Sequence, residues 1–192
     1  MSSASVSLDD IGPGLKLRFD RTLAFMRASG FESGRILDLG PDNTFAHILR
    51  AEGYEVVNTG TVDLDLEPGL VRDHKVDCVT SFELFEHLVA PFNVLRELPD
   101  VPLFATVPLK LWFADAYRNR TDVWDRHYHE FEDWQFDWLL EKAGWTIVHR
   151  EKWTSPTTDI GIRPLLRRFW PRYYAVRAIP SSACSPTAIS II

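Results

Sequence analysis

Ile36-Leu37-Asp38-Leu39-Gly40 and Asp77-Cys78-Val79-Thr80-Ser81-Phe82-Glu83-Leu84-Phe85-Glu86-His87-Leu88 decide how this chain folds. Each is an apolar run that ends abruptly in a charged or flexible residue. A strand buried on both faces of a parallel sheet reads as such a run, and its end delivers polar groups to the carboxyl edge. Ligands of open α/β sheets bind at that edge. Together the two stretches place a Gly turn and a Glu83/Glu86/His87 cluster at one sheet edge.

Working outward, the spacing predicts a helix over Pro13–Ala28, with Leu15, Leu17, Phe19, Leu23, Phe25 and Met26 as its apolar stripe and Gly30 as its stop. Strands are expected over Arg35–Leu39, Glu55–Asn58, Thr61–Leu66, Val76–Phe82 and Leu103–Val107. Between them, Phe45–Glu52 reads as a helix capped by Asn43 or Thr44 and ended by Gly53, and Pro91–Leu98 as another. Residues 109–127 read as a loop or broken helix. Glu132–Lys142 is an amphipathic helix stopping at Gly144, and Pro164–Phe169 a short basic one. Trp145–Lys152 and Tyr173–Ile179 are the last strands, with little helix between them, which fits an antiparallel edge hairpin. Alternating strands and helices imply an α/β fold with a mainly parallel sheet and right-handed crossovers. Residues 1–12 read as a flexible N-terminus, 13–180 as one domain and 181–192 as a disordered tail.

The 192 residues, 45% hydrophobic and 25% charged, suit one globular core. A formal net charge of -6 argues against a broad nucleic-acid-binding face. Cys78 and Cys184 give neither a disulfide framework nor a zinc pattern. The N-terminus carries no signal-peptide pattern, and no apolar run approaches the roughly 20 residues of a membrane span. A soluble cytoplasmic protein is the expectation.

The order Leu37-Asp38-Leu39-Gly40, then Glu83-Leu84-Phe85-Glu86-His87-Leu88, then Thr106-Val107-Pro108, then His127 to Phe131 before a helix ending Ala143-Gly144-Trp145, resembles class I S-adenosylmethionine-dependent methyltransferases. The group with a Glu-x-x-Glu-His-Leu signature is the most similar, and the resemblance covers about residues 34–152. It implies a Rossmann-like, doubly wound, mainly parallel seven-stranded sheet and S-adenosylmethionine as cofactor. It also implies roles for single residues. Asp38 and Gly40 match the start of the Gly-rich loop. Asn58 stands where an acidic residue usually holds the ribose, Asp63 and Asp65 where a third strand borders the adenine, and Glu83 where the fourth opens toward cofactor and substrate. The loop itself departs from Gly-x-Gly-x-Gly, reading Gly40-Pro41-Asp42-Asn43-Thr44. The Asp42 carboxylate would repel the cofactor's carboxylate but attract its amine or sulfonium.

A helical turn starting at Glu83 would put Glu83, Glu86 and His87 on one face, a competent set for a divalent ion such as Mg or Mn. The resemblance implies such an ion in some members; local packing and direct contact with substrate or cofactor are the alternatives. His87, His127 and His129 are candidate general bases, because imidazoles titrate near neutrality. His127 and His129 also suit backbone hydrogen bonding at a helix entry. Trp112, Phe113 and Tyr117 read as a lid over an apolar acceptor, Trp134 and Trp138 as helix packing, and Arg163, Arg167, Arg168 and Arg172 as a solvated basic edge. The expected partner is a small-molecule substrate, with nucleic acid disfavoured. Three functions stay open: methyl transfer to an oxygen or nitrogen, a catalytically degenerate binding or partner protein, and metal-dependent RNA 2′-O-methylation.

Overall fold

Parallel pairing of β1 (Arg35–Asp38) with both β2 (Glu55–Asn58) and β3 (Cys78–Phe82) organises the molecule, described over residues 11–155 and 160–181 in a computed structural model. The expectations for residues 1–10 and for the tail beyond Ser181, Cys184 included, lie outside the described residues. β4 (Leu103–Pro108) continues the parallel sheet beside β3. β5 (Trp145–Thr154) and β6 (Pro171–Pro180) form the antiparallel hairpin, with β6 against β4. The order β2-β1-β3-β4-β6-β5 makes a six-stranded mixed sheet, one strand short of the expected seven.

The missing strand is Thr61–Leu66. Asp63 Oδ1 accepts from the Asp65 N–H at 3.0 Å, and Asp63 O accepts from the N–H groups of Leu66 and Glu67. Side-chain bonding to the local backbone offers an alternative to a ladder, and Asp is the residue that provides it. Pro68 then opens a short 3-10 turn over Pro68–Val71. The segment is apolar enough for a strand but bonds as a turn.

Helices cover both faces. α1 (Pro13–Ala28) begins with Pro at its first turn, where the missing N–H costs nothing. α2 (Thr44–Ala51) is capped by Asn43, whose Oδ1 accepts from the N–H groups of Phe45 and Ala46. These two helices pack on Ile36, Cys78 and Phe104. α3 (Pro91–Glu97) and α4 (Asp133–Ala143) cover Leu37, Val79, Leu103 and Ala105 on the other face. Neighbours in one strand thus enter different cores, as strand alternation demands. α4 stops at Gly144 with φ 97°, left-handed backbone that glycine tolerates. α5 (Ile162–Leu166) starts and ends earlier than the expected Pro164–Phe169. Both hairpin strands run longer than expected because they pair with each other to Trp153 and Thr154. Among the described residues no helix is long and apolar enough to cross a membrane.

The chain leaves β1 for β2 on one side and returns to β3 on the other. Strand order across the sheet reverses there while the strands stay parallel, so the connections leaving the carboxyl ends of β1 and β3 diverge and open a crevice.

Candidate functional site

A cavity of about 440 Å³ fills that crevice. Asp38 ends β1 and reaches it, as do Phe82 and Glu83 at the end of β3 and Thr106 in β4. α1 supplies the remaining wall. Leu15, Arg18, Phe19 and Thr22 line it at the i, i+3, i+4, i+7 spacing of one helix face. An arginine inside that stripe was the available sequence signal for this wall, and reading the stripe only for its apolar members missed it.

Asp38 is buried, at 4% exposure, among donors only. Thr80 Oγ1 donates to its Oδ1 at 2.7 Å, and Asn58 Nδ2 and Asn43 Nδ2 donate to Oδ2 at 2.9 and 3.2 Å. Burial nevertheless pushes its carboxyl up to about 6, with those bonds and Arg50 opposing. Asn58 is fully engaged, since its Oδ1 accepts from Arg50 Nη2 at 2.7 Å. Arg50 Nη1 also donates to Asp42 at 2.6 Å, and His47 Nε2 lies 3.1 Å from the same carboxylate. Asp42 therefore points to α2, and Arg50 holds its carboxyl below the usual range. Gly40 has φ 106°, while a Cβ placed there would meet only Leu84 Cδ1 at 3.8 Å. Backbone conformation, not space, requires glycine at this position. Asp65 caps the entry to α3 through the N–H groups of Val89 and Ala90, at 2.7 and 2.8 Å, and Asp63 holds its own turn. Of the expected cofactor residues, Asp38 and Glu83 line the cavity, Gly40 and Asn58 brace its rim, and Asp42, Asp63 and Asp65 face elsewhere.

Glu83 adopts φ 56°, a left-handed conformation that costs a non-glycine residue on the order of 1 kcal/mol or more. Its N–H donates to Thr106 O at 3.0 Å, and its Oε1 is buried without a partner among the described residues. Arg18 Nη1 approaches the other carboxylate oxygen at 3.8 Å. Burial raises the Glu83 carboxyl, and Arg18 opposes the rise.

Glu86, 1% exposed, has an unpartnered Oε2, and burial together with Glu83 holds its carboxyl well above the usual range. The Glu86 carbonyl accepts from the N–H groups of Tyr128 and His129, at 2.8 and 3.2 Å. That stitch draws His127 beside His87, with ring centres 4.7 Å apart and edge-on. Donor atoms of Glu86, His87 and His127 all lie within 4.8 Å of one another. Glu83 is not in this group, so His127 takes the place expected for it. His87 Nδ1 lies 3.1 Å from Arg126 O. A carbonyl only accepts, so Nδ1 carries the proton and Nε2, 3.8 Å from Glu86 Oε1, is left as the acceptor. Burial, reinforced by His87 and Arg172, pushes the His127 imidazole down to about 4. His129 is spent locally, with Nε2 3.3 Å from Val89 O and its ring stacked on Phe131.

The aromatic segment expected as a lid is largely exposed and does not line the large cavity. Trp112 is exposed, against Phe113 and Trp170, and Tyr117 lies over His127 at 4.4 Å between centres. Trp134 and Trp138 meet edge-on at the surface and are not core packing.

Residues 15–150 match a family model described as a methyltransferase domain. No curated protein matches the chain. Magnesium protoporphyrin IX methyltransferase from Synechocystis PCC 6803, solved with SAH bound, has a similar fold at TM-score 0.58 and 15% identity, covering 94% of this chain and 90% of that one. A S-adenosylmethionine-dependent methyltransferase from Mesorhizobium loti is similar at TM-score 0.57 and 16% identity, covering 90% and 100%. Another from Archaeoglobus fulgidus gives 0.56 and 16%, covering 84% and 94%.

Proposed function

The chain belongs to the methyltransferase-domain family, and from that premise we propose that it transfers a methyl group from S-adenosylmethionine to an oxygen or nitrogen of a small-molecule acceptor. The observation that carries this reading is the pair Arg18 and Glu83, 3.8 Å apart on the wall of the switch-point cavity. The amino-acid end of the cofactor bears a carboxylate and an ammonium. Arg18 suits the first, and the unpartnered oxygen of Glu83 suits the second. The cofactor supplies an electrophilic methyl on a sulfonium. With the cofactor bound, the acceptor's lone pair would form the new bond to that carbon as the carbon–sulfur bond breaks, and the acceptor's proton would leave. His87 lines the cavity, and its unprotonated Nε2 can take it. Phe19, Phe45 and Phe82 exclude water, and the walls hold the reactants in line.

Calorimetric titration of S-adenosylmethionine and S-adenosylhomocysteine tests the reading. Binding at roughly micromolar Kd, weakened by Arg18→Gln, is expected. No binding at about millimolar ligand would sink it and leave the catalytically degenerate binding protein.

The convergence of Glu86, His87 and His127 supports a second reading, in which these three hold a divalent ion. One carboxylate and two imidazoles fit manganese better than magnesium, which favours oxygen ligands. Manganese titration, read by the spectrum of the bound ion and repeated with Glu86→Gln, decides it. Equal binding by both proteins removes the site, and with it the metal-dependent RNA reading.

A further inference from the structure

A second cavity, of about 300 Å³, opens on the far side of the His87–His127 pair. Arg118, Arg120 and Arg126 line it, with the rings of Tyr117, Tyr128 and His127. His127 belongs to this cavity and His87 to the larger one, and their rings are 4.7 Å apart. The two spaces therefore meet across the histidines.

The charges of this loop are sorted. Its acids are spent inside: Asp125 accepts from Tyr117 Oη and from Asn119 Nδ2, Asp122 from the Trp124 N–H, and Glu130 from the Tyr117 N–H. Its arginines are not. Among the described residues, the side chains of Arg118, Arg120 and Arg126 make no hydrogen bond or ion pair. Elsewhere Arg27, Arg35, Arg50, Arg72 and Arg150 are each held by a carboxylate. Arg96, Arg167 and Arg168 are also exposed and unpaired among the described residues, so what sets this loop apart is that three such guanidinium groups line one cavity in a chain with a net charge of -6. The loop is also pinned. Asn119 Oδ1 accepts from the N–H groups of Thr121 and Asp122, and Asp125 ties Tyr117 to Asn119.

Guanidinium forks bind carboxylate and phosphate with two parallel bonds, and tyrosine rings give a planar ligand its walls. We propose that Arg118, Arg120 and Arg126 form the acceptor's anion subsite, so that the substrate of the methyl transfer is a small molecule bearing a carboxylate or phosphate, with its nucleophile toward His87. This rests on the methyl-transfer reading, because only that reading gives the larger cavity to the methyl donor.

The test uses the whole chain and three probes of similar shape: benzoate, phenyl phosphate and uncharged phenol. Titrations are run on the native protein, on Arg118→Gln/Arg120→Gln and on Arg118→Lys/Arg120→Lys. Native protein should bind at least one anion at about millimolar Kd and phenol far more weakly, and the preferred anion names the group. The Gln pair should weaken that anion about tenfold or more, the Lys pair less, since charge survives but the fork does not. S-adenosylhomocysteine affinity and Tm should be the same in all three, which separates subsite loss from misfolding. Anions that bind all three proteins alike, or none of them, overturn the subsite. A single-stranded RNA that binds tightly with steep salt dependence, and is lost in the Gln pair, also overturns it by giving the arginines to nucleic acid. If the anions behave as expected but S-adenosylhomocysteine does not bind, the methyl-transfer reading fails and the anion site stands.

Discussion

Asp38→Asn should change how stability depends on pH. Asp38 is 4% exposed, and burial lifts its carboxyl to about 6 when folded, against an ordinary value of 3.8. Below that ordinary value the group is protonated in both states, and burial carries no ionic cost. Between the two values the unfolded chain releases the proton and the folded one keeps it, so each pH unit removes up to about 1.4 kcal/mol of stability. Above about 6 both states are ionised and the loss is complete. Over the whole window it comes to about 3 kcal/mol. Asparagine cannot ionise, yet it keeps the network. Its oxygen can accept from Asn43 and Asn58, and its amide can donate to Thr80 Oγ1, which then accepts.

Urea unfolding at a series of pH values reads this directly. Glu83, Glu86 and His127 titrate in both proteins, so they cancel in the difference between variant and native curves. That difference should move in favour of Asp38→Asn by about 3 kcal/mol between about pH 4 and about pH 7. Parallel curves across the window would refute the reasoning. Either the donors around Asp38 would then fully compensate its burial, or the carboxylate would have access to water.

Gly40→Ala should cost about 1–2 kcal/mol, lowering Tm, because of its φ of 106° rather than any clash; an unchanged Tm would mean the turn can relax. His87→Ala should reduce kcat by about a hundredfold or more with S-adenosylhomocysteine affinity nearly intact. His129→Ala should leave kcat unchanged, since that ring is bonded to Val89 O and stacked on Phe131. Equal losses in both variants would mean that the ring positions matter only for packing.

The parts of this fold set by neighbouring residues were legible. α1 stands at Pro13–Ala28 because its proline start and apolar spacing are local, and β2 at Glu55–Asn58 because glycine and polar residues bound a short apolar run. Thr61–Leu66 was not, because its outcome turns on two aspartates bonding backbone in place of a ladder. The Glu83/Glu86/His87 stretch announced a site but not its members. Glu83 turns back through a left-handed conformation toward Arg18, and His127 arrives through hydrogen bonds to the Glu86 carbonyl from a distant segment. No periodicity encodes a contact of that kind. Asp42 was misjudged for a similar reason: its partners Arg50 and His47 sit on the next helix.

The altered Gly loop is a different solution to the same geometric problem. Only Gly40 keeps a conformation that needs glycine, and its N–H and C=O are already bonded to Thr59 Oγ1 and the Gly60 N–H, at 2.7 and 3.0 Å. Asn43 takes the first free N–H groups of α2 and also bonds Asp38. Asp42, Arg50 and Asn58 close the chain of contacts back to Asp38. Side chains therefore fix this loop where glycines elsewhere leave backbone free, and the N–H groups of Gly40, Phe45 and Ala46 are already occupied. Recognition in the cavity then falls largely to side chains, and on the wall opposite Asp38 these are Arg18 of α1 and Glu83 just past β3. Ligand affinity in this chain should thus depend on α1 being in place, so loosening that helix should weaken S-adenosylhomocysteine binding even with the loop untouched.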